Sequence, residues 1–276
     1  MKHSSPPAAI ANERSHHMKP SYIYYKIIRG ILRLCFPRAK TMYEEQPDNE
    51  PAVFVCNHAA VRGPVMMTLD FKRKHQTWTV HCALDSKKAV NFAYHDILFG
   101  ESRRCKWFWR MLAHITAVML PPLLIYSDTI PVYHDKSILK TFKQSIQAMT
   151  EGEDLVIFAE SPKRFSDYIC ELQPGFVDIA RLYYRKTKKT LKFYPLYLEK
   201  KNAVLSVGKP IVYDPDRPLD EQRREITEYL RDSIDRLGRA LPPHKPVHFL
   251  PDRWYSAYGM YEEDVPGYWQ MIERNE

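Results

Sequence analysis

The sequence predicts an α/β fold with a mixed, mostly buried central sheet flanked by helices. Short apolar runs such as 52–56 (AVFVC) and 154–158 (DLVIF) have the length and composition of buried strands. They alternate with longer stretches whose apolar residues recur at helical spacing, such as 136–150. Because helices cover the faces of buried strands, this alternation is typical of an α/β sheet. A basic amphipathic helix at the N-terminal end completes the predicted architecture.

One domain is expected over residues 20–242. Residues 1–19 are polar and mixed, which predicts a flexible leader. Residues 243–276 are rich in Pro, Trp and Tyr, and we expect this tail to pack on the surface. A single domain of this size can bury a full core without disulfides or metals.

The first predicted helix spans residues 21–36 (SYIYYKIIRGILRLCF). Its apolar residues recur at helical spacing, and Lys26, Arg29 and Arg33 share the other side. Such a helix can lie on an anionic membrane. It can equally pack its apolar stripe on the protein's own core, and both interpretations stay open at this point.

Further strands and helices follow in alternation. Pro195 inside the run LKFYPLYL predicts an edge strand or a bulge, because proline cannot donate to a sheet. The predicted strands are 52–56, 77–83, 129–133, 154–158, 191–198 and 203–207. The predicted helices are 64–72, 136–150, 176–184 and 217–241.

The most apolar stretch is 107–126 (WFWRMLAHITAVMLPPLLIY), which has about the length of a bilayer span. Arg110, His114 and the pair Pro121-Pro122 interrupt it. These residues favour a buried or interfacial helix over a span.

Charge and composition narrow the expected partners. The chain has 276 residues and a formal net charge of +8, which favours anionic partners. Aromatic residues make up 13% of the chain, and aromatics mixed with cations suit a membrane interface. The basic run 181–192 could follow nucleic acid, but a solvated helix end and turn explains it better. We therefore expect membrane phospholipids, and no nucleic acid, as partners.

Several enzyme classes have no support in the sequence. There is no G-x-S-x-G, no H-E-x-x-H and no C-x-x-C among the five cysteines. Neither a serine hydrolase nor a metal site is therefore expected, and the cysteines are expected to be free thiols in a reducing cytosol. A cytoplasmic location, peripheral on the inner face of the cell membrane, fits these observations. The sequence does not indicate an oligomeric state.

Two segments carry candidate chemistry at predicted strand ends, where open α/β sheets place their sites. His58 follows the first buried strand in VCNHAAVRGP, and imidazole can act as a general base near neutral pH. Glu160 follows DLVIF in FAESPKR, where Lys163 and Arg164 could neutralise a phosphate. Taken alone, a single histidine at a strand end is more often structural, and the second segment could be a solvated turn.

Together these segments resemble the phospholipid/glycerol acyltransferase family, which includes the lysophosphatidic acid acyltransferases. The family motif N-H-x-x-x-x-D is matched by Asn57 and His58, but Gly63 stands in place of Asp. The third family block, F-P-E-G-T-R-S, is matched by Phe158 and Glu160.

Weaker matches follow the same order along the chain. TIPVYH resembles the second block, with Tyr133 or His134 near its Arg, and Lys163 stands for the Arg of the third block. PGFVDIA, the strand around Pro195 and VGKPI resemble later blocks. The resemblance extends over roughly residues 23–241.

The resemblance implies an acyltransferase-like domain and a reaction. His58 would deprotonate a hydroxyl of a lysophospholipid or related glycerolipid, and that oxygen would attack the thioester of acyl-CoA or acyl carrier protein. The donor is a co-substrate, so no bound cofactor is implied. His58 and Glu160 are the implied catalytic residues. The implied substrate-binding residues are Asn57, Arg62, His134, Lys163, Arg164 and Gly175.

Gly63 leaves two hypotheses open, because in the family the Asp orients the histidine. On the first hypothesis another carboxylate replaces it: Glu160 is the first candidate, ahead of Asp85 and Asp128. Alternatively, the domain is catalytically impaired and binds lipid or a partner. Restoring Asp at position 63 should raise any weak activity, provided that the loop keeps its shape. No change in a folded protein would mean that the missing carboxylate is already supplied elsewhere.

Overall fold

The computed structural model describes residues 20–60, 62–85, 88–133 and 136–258. The predicted α/β class is confirmed: helices flank a central, mostly parallel sheet. The strands are β1 Lys40–Tyr43, β2 Ala52–Cys56, β3 His75–Val80, β4 Thr129–Val132, β5 Asp154–Ile157, β6 Glu160–Arg164, β7 Cys170–Leu172, β8 Lys192–Glu199, β9 Val204–Val207 and β10 Ile211–Val212. The helices are α1 Pro20–Cys35, α2 Arg62–Asp70, α3 Ala89–Phe92, α4 Lys106–Ile125, α5 Ile138–Thr150, α6 Asp178–Thr187, α7 Leu219–Ala240 and α8 Asp252–Tyr258.

Among the described residues, eight strands form one sheet in the order β1–β9–β8–β2–β5–β3–β4, and β10 also pairs with β8. Neighbouring strands are parallel except where β8 meets β9 and β10. Strands β6 and β7 form a separate antiparallel hairpin. That hairpin was not predicted, because the polar run of β6 lacks the apolar alternation of a strand.

Both faces of the sheet are buried, which explains the continuous apolar runs of its central strands. Val53 and Val55 of β2 face a cluster that includes residues of α5, α6 and α7. Phe54 of the same strand faces a second cluster with Met66 and Met67 of α2. Successive side chains of a strand point to opposite faces, so β2 contributes to both clusters.

The start of the central strands is held by a buried carboxylate. Asp154 accepts a hydrogen bond from the Ala52 amide at 2.9 Å, which joins β5 to β2. Arg73 donates to the same carboxylate from Nε at 2.5 Å and from Nη2 at 3.0 Å. These hydrogen bonds, together with the charge of Arg73, compensate the Asp154 carboxylate for the hydration that it loses on burial.

Pro195 does not lie on an edge strand, so that alternative of its prediction is wrong, whereas the bulge stays a prediction. Strand β8 is internal: it pairs with β2 on one side and with β9 and β10 on the other. On that second side, β10 pairs with Phe193 and β9 pairs with Leu196. Pro195 therefore lies between the residues of β8 that pair with β10 and those that pair with β9. At this position the N–H that proline lacks is not part of either pairing.

Helices α1 and α4 contact each other and expose apolar side chains. On α1 the exposed stripe is Ile23, Ile27, Ile31 and Leu34, while Tyr25 is buried. This decides one open question, since the stripe does not pack on the protein's core. The exposed side chains of α4 include Trp107, Phe108, Met111, Ile115, Val118, Met119 and Ile125.

Helix α4 is therefore not a buried core helix, because only 18% of its most apolar window is buried. By length and composition it is one helix that could cross a membrane. Arg33 of α1 forms an ion pair with Asp70 of α2 at 2.6 Å, which holds α1 against the rest of the chain.

Candidate active site

His58 lies at the carboxyl edge of the sheet, just after β2. Strands β2 and β5 are parallel neighbours, with Val55 opposite Ile157. The residues that follow the two strands therefore meet at one edge. The loop after His58 is unusual, since Ala59 and Ala60 both have left-handed backbones, with φ of 45° and 53°. Such conformations cost alanine roughly 1–2 kcal/mol each and tend to cluster at functional sites.

The strained loop orients the imidazole of His58. Its Nδ1 lies 2.5 Å from the carbonyl oxygen of Ala60. A carbonyl can only accept, so Nδ1 carries the hydrogen and donates it, which leaves Nε2 as the basic nitrogen. Burial lowers the pKa of His58 from 6.5 to about 4, against the opposing effect of the Ala60 hydrogen bond. His58 is therefore neutral near pH 7, in the form that a general base requires.

Two aromatic rings flank the imidazole. The Phe158 ring centroid lies 5.1 Å from that of His58, and the Phe249 centroid lies 5.0 Å from it. Phe158 follows β5, whereas Phe249 comes from the C-terminal segment. Both rings are apolar, so they add no charge that would favour the protonated imidazole.

Glu160 holds the backbone of His58 rather than its ring. Its carboxylate accepts hydrogen bonds from the His58 amide and, at 2.9 Å, from the Cys170 amide. The described residues show no ion pair between Glu160 and the imidazole. This corrects the expected role of Glu160 as a substitute for the family's Asp, since the Ala60 carbonyl orients the ring instead. A direct catalytic role for Glu160 stays a prediction.

The Glu160 carboxyl is deeply buried. Burial raises its pKa from 4.5 to about 7, although the two amide hydrogen bonds act in the opposite direction. The other candidate carboxylates, Asp85 and Asp128, do not line the cavity beside His58.

Gly63 stands where any larger residue would collide with the backbone of His58. A Cβ at this position would lie 2.3 Å from the His58 carbonyl oxygen and 3.0 Å from the Phe158 ring. The Gly63 amide donates to that same oxygen at 3.1 Å. A side chain here requires the loop to move, so the condition attached to the Gly63→Asp prediction, that the loop keeps its shape, is not met in this conformation. The effect of Gly63→Asp on activity stays a prediction.

A largely apolar cavity of about 490 Å³ opens beside His58. It extends to α1 and α4, where Leu32 and Leu120 belong to its wall. The charged residues among its described lining are Arg29, Asp96 and Glu160. A cavity of this size and polarity suits an apolar ligand with one polar end.

Most of the predicted substrate-binding residues lie away from the cavity wall. Gly175 lines it, and a Cβ there would meet nothing within 4 Å. Arg62 lies over the Phe36 ring, with 5.9 Å between guanidinium and centroid. Lys163 is exposed, and Arg164 pairs with Asp252. His134 lies outside the described residues.

Asn57 joins two strands at this edge. Its Oδ1 accepts from the Leu198 amide at 2.7 Å, and its Nδ2 donates to the Leu198 carbonyl at 3.3 Å. This buried amide holds the end of β2 beside β8. Its predicted contact with substrate stays a prediction.

Sequence reasoning missed three parts of the site. The role of the Ala60 carbonyl had no signal, because it depends on backbone angles. Phe249 had none either, because almost two hundred residues separate it from His58. Arg29 could have been found, since it stands on the basic side of the amphipathic helix. Among the described residues, no group of three or more potential ligands could hold a metal ion.

Comparisons with known proteins add one distant likeness. No protein-family model and no curated protein matches this sequence. Among solved structures, the chain is similar to the crystal structure of the 1-acyl-sn-glycerophosphate (LPA) acyltransferase PlsC from Thermotoga maritima. The identity is 12%, the TM-score is 0.44, and the match covers 86% of each chain. At this identity and score, the likeness adds nothing to the geometry described above.

Proposed function

We propose that this chain is an acyltransferase that moves a fatty acyl group from a thioester donor to a hydroxyl. One observation carries the proposal: a neutral imidazole whose Nε2 is the basic nitrogen lies beside a largely apolar cavity of about 490 Å³. The cavity can hold an acyl chain, and Nε2 can accept the proton of an attacking hydroxyl. The motif matches at Asn57, His58, Phe158 and Glu160 agree with this reaction.

The proposed reaction runs through His58. Nε2 removes the proton of the acceptor hydroxyl while that oxygen attacks the carbonyl carbon of the thioester. The oxyanion then collapses, the carbon–sulfur bond breaks, and the proton on Nε2 is available to the departing thiolate. The donor in this proposal is acyl-CoA or acyl carrier protein. The acceptor is a lysophospholipid or a related glycerolipid.

The reaction is proposed to occur at a membrane surface. The exposed apolar side chains of α1 and α4 lie on helices that also line the cavity, so a lipid could pass from bilayer to site. The exposed cations Lys26 and Arg29 on α1 would favour anionic headgroups. We therefore propose a cytoplasmic protein that is peripheral on the inner face of the cell membrane and has phospholipids as its partners.

A specific observation favours a second function, a catalytically impaired domain that binds lipid. The imidazolium formed during the reaction would face a carbonyl and two phenyl rings, and no carboxylate of the described residues forms a hydrogen bond with this ring. A base whose pKa is about 4 is also weaker than one matched to neutral pH. Both features would slow the reaction while leaving the cavity intact.

The deciding experiment compares acyl transfer by the wild type, His58→Ala and His75→Ala, with acyl-CoA and acyl carrier protein donors and a panel of hydroxyl acceptors. His75 is a matched control, because its Nδ1 also contacts a backbone carbonyl, that of Arg73 at 2.8 Å, but at the opposite edge of the sheet. We expect His58→Ala to lose about a hundredfold or more in rate and His75→Ala to keep it. Equal background in all three proteins would reject the enzyme and leave the lipid-binding alternative.

A further inference from the structure

The C-terminal segment 242–258, here called the C-terminal strap, passes over the active site. Large apolar side chains of the strap pack into the protein: Leu250 is 1% exposed and Trp254 is fully buried. Phe249 is 9% exposed and belongs to the wall of the cavity beside His58. The strap therefore forms part of the site, although no residue in it matches the family motifs.

Both ends of the strap are anchored on either side of Phe249. Before it, His244 Nε2 lies 2.8 Å from the Tyr197 hydroxyl, on β8. After it, Asp252 pairs with Arg164, and the Tyr255 hydroxyl donates to the Pro162 carbonyl. Both of these partners belong to β6, which begins at Glu160. The strap is thus bound to the same strand that holds the His58 backbone.

Phe249 and Phe158 sit against the imidazole from two different parts of the chain. Their centroids lie 5.0 and 5.1 Å from that of His58, close enough for each ring to exclude water from the face it covers. The Ala60 carbonyl holds the imidazole by one nitrogen only. The two phenyl rings also contact the imidazole.

We propose that Phe249 is a positioning residue, through which the C-terminal strap clamps the His58 imidazole against Phe158 and shields it from water. The inference rests on the proposed function, because it concerns how His58 is held as a general base. It also assigns a role to the C-terminal strap, to which the resemblance to the acyltransferase family does not extend.

The charged groups around the imidazole are few, so water exclusion is the effect to test. Glu160 on β6 faces the His58 backbone amide. Arg29 on α1 and Asp96 line the same cavity. On the strap itself, His248 precedes Phe249 and Asp252 is paired with Arg164. Phe249→Ala keeps all of these charged groups in the chain.

The test is a titration of the His58 ring by NMR in the full chain labelled with ¹³C-histidine, with the signal assigned from its loss in His58→Asn. In the wild type the signal should stay unmoved from about pH 8 to about pH 5, because the pKa lies near 4. In Phe249→Ala water reaches the ring, so the signal should titrate with a midpoint shifted towards about 6.5. Phe249→Leu keeps an apolar cover and should behave as the wild type.

The matched control is Phe165→Ala, which removes a partly exposed phenyl ring from the turn after β6. It should leave the His58 signal unmoved. A folded Phe249→Ala whose His58 signal also stays unmoved would overturn the proposal. If Phe249→Ala does not fold, the double variant Asp252→Asn/Tyr255→Phe replaces it, because it weakens both of these contacts of the strap with β6 and keeps the aromatic ring at position 255. An unmoved signal there would equally count against the clamp.

Acyl transfer gives a second readout that separates this proposal from the proposed function. In an active protein, Phe249→Ala should move the acidic limb of the pH–rate profile upward, towards about pH 6.5, whereas Phe165→Ala should not. If no variant transfers acyl groups but the NMR midpoint moves, the proposed function fails and the positioning role stands. If activity depends on His58 but neither the midpoint nor the profile moves, the positioning role alone fails.

Discussion

Gly63 shows how closely the loop after β2 is packed around His58. A Cβ at position 63 would lie 2.3 Å from the His58 carbonyl oxygen, whereas one at Gly175 would meet nothing within 4 Å. We expect Gly63→Ala to lower the free energy of unfolding by about 1–3 kcal/mol, because a backbone atom must move. Gly175→Ala should cost far less. Urea unfolding of both variants measures the difference, and equal stabilities would show that the loop yields easily.

His58 and Glu160 give stability two opposing dependences on pH. Burial lowers the pKa of His58 from 6.5 to about 4, so between these values the unfolded chain binds more protons and stability falls as the pH drops. Burial raises the pKa of Glu160 from 4.5 to about 7, so the folded chain binds more protons there and stability falls as the pH rises. Where the two ranges overlap, the effects partly cancel in the wild type.

Removing either residue should expose the effect of the other. We expect His58→Asn to have a stability that declines relative to the wild type as the pH rises from about 4 to about 6.5, since the opposing contribution is gone. Glu160→Gln should show the reverse trend between about pH 4.5 and about pH 7. Urea midpoints at several pH values check both trends. Parallel profiles for the two variants would contradict the assignment.

At the scale of elements, α1 and α4 together present the exposed apolar face. Val118 of α4 is 77% exposed, so Val118→Glu should leave folding unchanged. If this face lies in a membrane, the new charge should weaken binding to phosphatidylglycerol–phosphatidylcholine vesicles by about tenfold, since burying a valine side chain is worth about 1.5 kcal/mol or more. Vesicle sedimentation measures the change.

Leu139→Glu is the control for this surface. Leu139 is also exposed, at 68%, but it lies on α5 rather than on α1 or α4. It should bind vesicles as the wild type does. An equal loss in both variants would mean that charge alone, and not the α1–α4 face, decides the binding.

At the scale of the whole molecule, Asp154 ties the two central strands together at the edge opposite the site. Asp154→Ala would leave the Ala52 amide and Arg73 without their buried acceptor. We expect a loss of about 3 kcal/mol in the free energy of unfolding, as for other broken buried pairs. Asp48→Ala, which removes an exposed partner of Lys192, should cost about 1 kcal/mol or less. Chemical denaturation of both variants tests this, and similar losses would refute it.

The fold was more predictable than the site. Runs such as those of β2 and β5 were recognisable because a strand buried on both faces must be apolar at successive positions. The β6–β7 hairpin was not recognisable, because the polar sequence of β6 lacks the apolar alternation of a strand. Pro195 was misplaced because its surroundings depend on which strands flank β8.

The sequence by itself determined the α/β class, the position of His58 at a strand end and the amphipathic character of α1, because all three follow from local periodicity and residue type. Only the tertiary structure decided which groups surround the imidazole. The contact of the Phe249 ring with the imidazole and the hydrogen bond from the His58 amide to Glu160 join distant segments of the chain. The contact of the Ala60 carbonyl with the imidazole depends on the left-handed backbone of the loop after β2. Such contacts leave no periodic signal, because each depends on the path of the chain rather than on its local composition.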